Sequence, residues 1–213
     1  MDRDELDTPS KRANVIGAAP TSEEMAELLS VQGAVDEQEL RHLYGLASRV
    51  RHGCIVEVGS HRGRSTAALA SGSRAGFKVP VYAIDPHEAF VGVYGGVFGP
   101  EDRGRFFETM LRLRLCPIVR LVNLSSEHLS AAWPLAVGLL WIDGDHRYEG
   151  VRRDLDCWLP KLRGDVTVVF DDALDEEMGP HRAIEELIAD PSWKRGPVVG
   201  KMVTISRGAG CGA

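Results

Sequence analysis

VGLLWIDGDHRY, residues 137–148, opens as an unbroken apolar run and stops on Asp143, Asp145 and His146. A helix's length further on, VTVVF at residues 166–170 repeats the pattern and stops on Asp171 and Asp172. Short runs of this kind, rich in valine and leucine and without polar alternation, match strands covered on both faces, as in a parallel sheet. The carboxyl ends of such strands form the rim at which open α/β sheets bind ligands. Carboxylates and an imidazole gathered at one rim repel one another unless protons or a cation neutralise them. The pattern therefore predicts a divalent metal at that edge.

Working outward, CIVEV at residues 54–58 is an earlier strand, followed by the turn Gly59, Ser60, His61, Arg62, Gly63 and an alanine-rich helix over 65–75 that begins at Ser65. Glycines let a backbone approach a ligand, and the free amides of the helix start face it. The turn has only two glycines and is not G-x-G-x-x-G. A strand over 79–84 ends at Asp85, the place where a ribose-hydroxyl acceptor is expected after a nucleotide-type turn. Residues 86–104 make a long glycine-rich loop carrying Phe90, Tyr94 and Phe98, read as a substrate lid. A helix over 103–115, a strand over 118–122 and a polar turn with Ser125 follow. Further helices are expected over 147–158 and 175–189, with a closing hairpin at 197–199 and 202–206. The alternation of strands and helices implies an α/β fold with a doubly wound parallel sheet and an antiparallel last strand.

Before the sheet, residues 1 to about 20 read as a polar arm. Two helices are expected next, one starting at Thr21-Ser22-Glu23-Glu24 and one over 36–51 with Leu40, Leu43, Tyr44 and Ala47 on one side. They form a small N-terminal helical cap, with the division falling between residues 1–50 and 51–213. Capping the sheet, lining a pocket and joining subunits are all open roles for them.

The 213 residues, 44% hydrophobic and 26% charged, suit one large domain with a cap. A net charge of -6 argues against a nucleic-acid partner, which calls for a basic excess. A small-molecule or protein partner is expected instead. Cys54, Cys116, Cys157 and Cys211 show no CxxC spacing and read as free thiols of a reducing compartment. No apolar stretch suits a secretory signal or a membrane span, so a cytoplasmic protein is expected.

VEVGSHRGRST, AIDP, and WIDGDHRYEGVRRDLDCWLPKL with its following VVFDD together resemble the class I S-adenosylmethionine-dependent methyltransferases. The likeness covers roughly residues 50–206 and is strongest to the metal-dependent small-molecule branch, which includes catechol O-methyltransferase and antibiotic-sugar O-methyltransferases. It implies a Rossmann-like, mostly parallel seven-stranded sheet. It also implies that Glu57, Gly59, Ser60, His61, Gly63 and Ser65 form the cofactor turn, that Asp85 holds the ribose and that Ser125 touches the adenine. There the acid common in the family is replaced by Leu124. Asp143, Asp171 and Asp172 match the metal positions, with Asp143 also beside the cofactor. His146 stands where relatives place a general base, and Asp145 is a second candidate.

The resemblance implies metal-assisted O-methylation, with magnesium the expected cation, of a small polyhydroxylated acceptor such as a sugar of a secondary metabolite. A homo-oligomer is expected. Metal-independent N-methylation of an aminosugar and a non-catalytic cofactor-binding subunit are the alternatives. Simpler roles stand beside these: Asp171 and Asp172 as helix caps, His146 bonded to a backbone carbonyl, Asp145 as a turn residue, Trp141 and Tyr148 as packing. His87 and His181 read as solvated.

Overall fold

The computed structural model describes residues 18–208, so most of the expected arm and the tail with Cys211 lie outside the described residues. In chain order the elements are α1 (Ser22–Leu29), α2 (Glu37–Ala47), β1 (Cys54–Val58), α3 (Arg64–Ala75), β2 (Val81–Ile84), β3 (Phe90–Val91), β4 (Val97–Phe98) and α4 (Pro100–Arg112). Then come β5 (Val119–Val122), α5 (Ser126–Ser130), β6 (Val137–Ile142), α6 (Tyr148–Trp158), β7 (Leu162–Phe170), α7 (Gly179–Ile188), β8 (Lys194–Val199) and β9 (Met202–Arg207).

Seven strands form one sheet in the order β5-β2-β1-β6-β7-β9-β8. The first five in that order run parallel, and β9 runs antiparallel to both β7 and β8. The antiparallel last strand is thus present but sits inside the sheet, with β8 at the edge. The order in which strands are added reverses between β1 and β6, the kind of switch point where open sheets open a crevice. Ile84, Val58, Ile142 and Phe170 stand in register across four strands. Asp85, Gly59, Asp143 and Asp171 therefore follow as one row. The ladder carries one step into that row: Gly59 N–H donates to the Ile84 carbonyl, Asp143 N–H to Val58 and Asp171 N–H to Ile142, each at 2.9–3.0 Å.

The unbroken apolar runs are explained by two cores, one on each sheet face. Ile55, Leu139, Trp141 and Val169 point to one face and pack on α3 and the N-terminal helices. Val56, Leu140, Ile142, Val168 and Phe170 point to the other, against Trp133, Trp158 and Ile184. Alternate residues thus serve opposite cores, so a polar side chain in these strands needs a buried partner, as Glu57 has in Ser65 and Thr66.

The N-terminal helices begin as expected. Thr21 and Glu24 form a reciprocal capping box, as do Asp36 and Glu39. Met25, Leu28, Leu40, Leu43 and Ala47 belong to the same core as α3 and the sheet. The cap is therefore packed on the sheet. Close approach of α2 to α3 requires Gly72, where a Cβ would lie 2.2 Å from the Tyr44 carbonyl oxygen.

Several expected boundaries shift for local reasons. Helix α4 starts at Pro100 rather than residue 103, because a first-turn proline loses no helical bond and the Asp102 carboxylate accepts the Gly99 N–H at 2.9 Å. Helix α7 starts at Gly179, not 175, and its N-cap is Met178, so Asp171 and Asp172 cap no helix. Helix α2 stops at Ala47, short of 51. The 86–104 loop contains the short antiparallel hairpin β3–β4. No helix among the described residues is long and apolar enough to cross a membrane.

Gly59 has φ +84°, and a Cβ there would lie 2.2 Å from the Asp143 carbonyl oxygen. Gly164 has φ +76° with open space around it. Gly164→Ala is expected to cost about 1–2 kcal/mol of backbone strain, and Gly59→Ala at least about 2 kcal/mol more because the backbone must also move. Urea unfolding of the two variants checks the difference; equal losses would show that the approach of Gly59 to Asp143 is not a constraint.

Candidate functional site

The turn after β1 is held by a carboxylate. Asp85 Oδ2 accepts the N–H groups of Ser60 and His61 at 2.9 and 2.8 Å, and Oδ1 accepts the His87 N–H at 2.8 Å. The His87 ring closes a second link: Nε2 donates to the His61 carbonyl at 2.8 Å, and Nδ1 accepts from Asn123 Nδ2 at 2.9 Å. A carbonyl can only accept, so these partners fix a neutral imidazole protonated at Nε2. His87 is 5% exposed. The solvated role expected for it is corrected: its ring is an internal brace between three segments of the cavity.

Glu57 lies below the turn and lines neither cavity described next. Its carboxylate accepts the Ser65 hydroxyl at 2.5 Å and the Thr66 hydroxyl, tying β1 to the first turn of α3. Burial pushes its pKa up to about 7; the two hydroxyl bonds pull it down, and the Asp85 charge adds to the rise.

A first cavity of about 310 Å³ opens over this row. Gly59, His61, Asp85, Phe98, Ser125 and Asp154 are on its walls. Ser125 Oγ lies 2.8 Å from His128 Nδ1. Asp154, which the sequence reading passed over as a helix residue, is 9% exposed. Burial raises its pKa to about 6, against the bond from Ser126. Asp145 also faces this cavity rather than the acid cluster. Its Oδ1 accepts from the Arg147 N–H and Nη1 at 3.1 and 3.0 Å, and Arg147 Nη2 reaches the Val91 carbonyl of β3.

A second cavity of about 190 Å³ adjoins the first and shares Gly59, His61, Phe90, Phe98 and Gly144 with it. One wall carries Asp143, His146, Asp171, Asp172 and Lys201; the other carries Gly33, Val35, Arg62 and Arg64, and Tyr94 comes from the lid. The structure thus brings together the residues expected to bind metal, with His146 among them. His146 Nε2 lies 3.8 Å from Asp143 Oδ1, 3.8 Å from Asp171 Oδ2 and 3.7 Å from Asp172 Oδ2. One ligand atom each of Asp143, His146 and Asp171 fall within 4.8 Å of one another. Desolvation, and next the Asp171 charge, raise the Asp143 pKa well above the usual carboxylate range.

Lys201, in the turn between β8 and β9, is the site residue that sequence reading missed. Its Nζ lies 2.7 Å from Asp171 Oδ2 and 3.1 Å from Asp172 Oδ1. Burial works to lower its pKa, but Asp171, with Asp143 and Asp172, outweighs that and raises it. No motif marks it, because only the hairpin's return to β7 brings it to the acids.

The donor set fits a hard divalent cation. Asp171 is 2% exposed, yet among the described residues its Oδ1 has no hydrogen-bond partner, and neither has the buried His146 Nε2. A buried carboxylate oxygen without a donor is costly, and with an imidazole nitrogen free beside it the pair fits a shared positive ligand. Carboxylate oxygens suit magnesium.

With this geometry in hand, comparison with known proteins gives the family. A profile described as "Methyltransferase domain" matches residues 56–173, over half of the chain. An uncharacterised protein of Sinorhizobium fredii, y4gI, is 32% identical over 133 residues, 59% of this chain but only 14% of that protein. Among solved structures, the O-methyltransferase of Bacillus cereus in complex with SAH superposes with a TM-score of 0.67 at 16% identity, covering 88% of this chain and 92% of that one. TomG of Streptomyces achromogenes, an O-methyltransferase involved in tomaymycin synthesis solved with SAM, gives 0.65 at 14% identity, covering 90% and 92%. The chain belongs to the methyltransferase-domain family.

Glu57 offers a check on the buried brace. A carboxyl whose folded pKa, about 7, exceeds its ordinary 4.5 contributes stability below pH 4.5 and loses it as pH rises through 7. Glu57→Gln removes that titration. The stability of the variant relative to wild type is expected to rise by roughly 3 kcal/mol between pH 4.5 and 8 in chemical denaturation. A difference that stays flat with pH would remove the buried, raised carboxyl.

Proposed function

We propose that the protein transfers a methyl group from S-adenosylmethionine to an oxygen of a small polyhydroxylated acceptor, with a divalent cation, magnesium, bound at the acid cluster. The observation that carries this reading is the contiguity of the two cavities: the acid cluster stands across Gly59 and Gly144 from the cavity over the glycine turn.

In this reading the first cavity takes the cofactor. Three backbone N–H groups occupy three of the roughly four acceptor positions of Asp85, leaving one for a ribose hydroxyl. The Gly59 turn lets the backbone come close to the donor, and Ser125 offers a hydroxyl to the base. Asp143, Asp171 and Asp172 would hold the cation. Its charge would acidify a chelated acceptor hydroxyl and fix it in place. His146 accepts the hydroxyl proton at Nε2, which has no hydrogen-bond partner among the described residues. Asp145 is engaged with Arg147, which in turn donates to the Val91 carbonyl, so His146 is the favoured base.

The second cavity sets Gln32, Arg62 and Arg64 beside Val35, Phe90, Val93, Tyr94 and Phe98, so polar and apolar side chains both line the proposed acceptor pocket. A polyhydroxylated acceptor is favoured because two neighbouring hydroxyls can fill the open positions of a hard cation. The fold shared with TomG supports a secondary-metabolite setting. One observation favours a second reading: Lys201 already neutralises Asp171 and Asp172, which would suffice for metal-independent N-methylation of an aminosugar.

Asp171→Asn is expected to abolish turnover while S-adenosylmethionine affinity, measured calorimetrically, stays within about threefold of wild type. His146→Ala should lower kcat by about 10²-fold or more. Wild-type rates in either variant would remove the assigned role. A screen of sugar-bearing acceptors for methyl uptake supplies the substrate for these assays. With that substrate, EDTA is expected to stop the reaction and magnesium to restore it; a rate untouched by EDTA would favour the metal-independent reading.

A further inference from the structure

Lys201 has no part in the reaction proposed above, yet it sits on two of the carboxylates assigned to the cation. Its Nζ is 2.7 Å from Asp171 Oδ2 and 3.1 Å from Asp172 Oδ1. The main chain at this residue is held independently of the ammonium. Its N–H donates to Glu39 Oε1 at 2.9 Å, and its carbonyl accepts the Ala173 N–H at 3.0 Å. Glu39 is itself 2% exposed and fixed by the capping box of α2. The side chain therefore hangs from a fixed point over the acids. It remains 31% exposed, so the ammonium has solvent to move into.

We infer that Lys201 is a tethered counter-ion: it neutralises and orders the acid cluster before a cation arrives, and the divalent cation must displace its Nζ from Asp171 and Asp172. The inference rests on the metal reading of this site. Asp171 Oδ1, the oxygen left open, belongs to the same carboxylate as the Oδ2 that holds the ammonium, so a divalent ion there would stand within a few ångströms of Nζ, and two positive charges that close repel strongly in a partly buried site. The arrangement also selects by charge. A sodium or potassium ion offers the carboxylates no more charge than the ammonium it would evict, whereas a divalent ion offers twice as much. Lys201 thus lowers affinity for every cation and excludes the monovalent ones.

The test is Mn2+ binding to the full chain, read from the paramagnetic resonance signal of free Mn2+, for wild type, Lys201→Met and Lys201→Arg. Methionine keeps the apolar stem and removes the charge, and the backbone anchors do not depend on either. Lys201→Met is expected to bind Mn2+ on the order of tenfold or more tightly, and Lys201→Arg to stay near wild type. Thermal unfolding should give the matching cycle: without metal Lys201→Met melts below wild type, and saturating Mn2+ closes the gap. Should the methionine variant need cation to fold, wild type supplies the readout. Mn2+ saturation must then speed acetylation of Lys201 by acetic anhydride, followed by mass spectrometry. Equal or weaker Mn2+ affinity in Lys201→Met, or no gain in Lys201 reactivity, overturns the inference and leaves the metal site standing. Failure of wild type and Lys201→Met alike to bind Mn2+ overturns both.

Discussion

Three parallel strands that stop in register set everything else in this protein. Because Val58, Ile142 and Phe170 are level, and the ladder runs one residue further, Gly59, Asp143 and Asp171 are forced side by side. Neither acid chooses its neighbour; strand pairing does. The same pairing leaves no room for a side chain at residue 59, since the Asp143 carbonyl already occupies the space. Backbone hydrogen bonding thus fixes both the acid row and the open turn beside it.

Crowding carboxylates this way is unfavourable by itself, and the structure answers it locally. Lys201 meets Asp171 and Asp172 directly, and Asp143 is pushed toward its neutral form by burial and by Asp171. The hairpin that delivers Lys201 is tied through Glu39 to the N-terminal cap. The cap, the last strands and the acid edge consequently behave as one assembly, and the helices before the sheet are part of the site's architecture. Gly33 and Val35, which follow α1, stand on the same cavity wall as Arg62 and Arg64. On this view the cap serves the proposed acceptor pocket as well as the core.

The cavity over the glycine turn is stabilised by a different device. Asp85 spends both oxygens on backbone amides, and His87 bridges the His61 carbonyl to Asn123. This brace holds His61 at φ +46°, a conformation that costs energy for a non-glycine residue. His61 is also packed edge-on to Phe98 of the β3–β4 hairpin, 5.0 Å between ring centroids, and lies 3.3 Å from Asp102 at the start of α4. The turn, the hairpin and the following helix therefore meet at one residue.

Sequence alone determined the alternation of strands and helices, the doubly apolar character of β6 and β7, the cap of α1, and the acids that close the strands. Each of these is written in neighbouring residues, through period, cap chemistry or a run that ends in charge. The start of α4 was misread because a proline beside glycines resembles a loop, although at a first turn it favours the helix. Only the tertiary structure decided the partners. Lys201 reaches the acids across 30 residues of chain, Asp145 turns to the other cavity, and His87 is buried rather than solvated. The physical reason is common to all three: local pattern fixes which face of an element is apolar, whereas the partner of a lone polar side chain depends on which distant segment the sheet order brings against it.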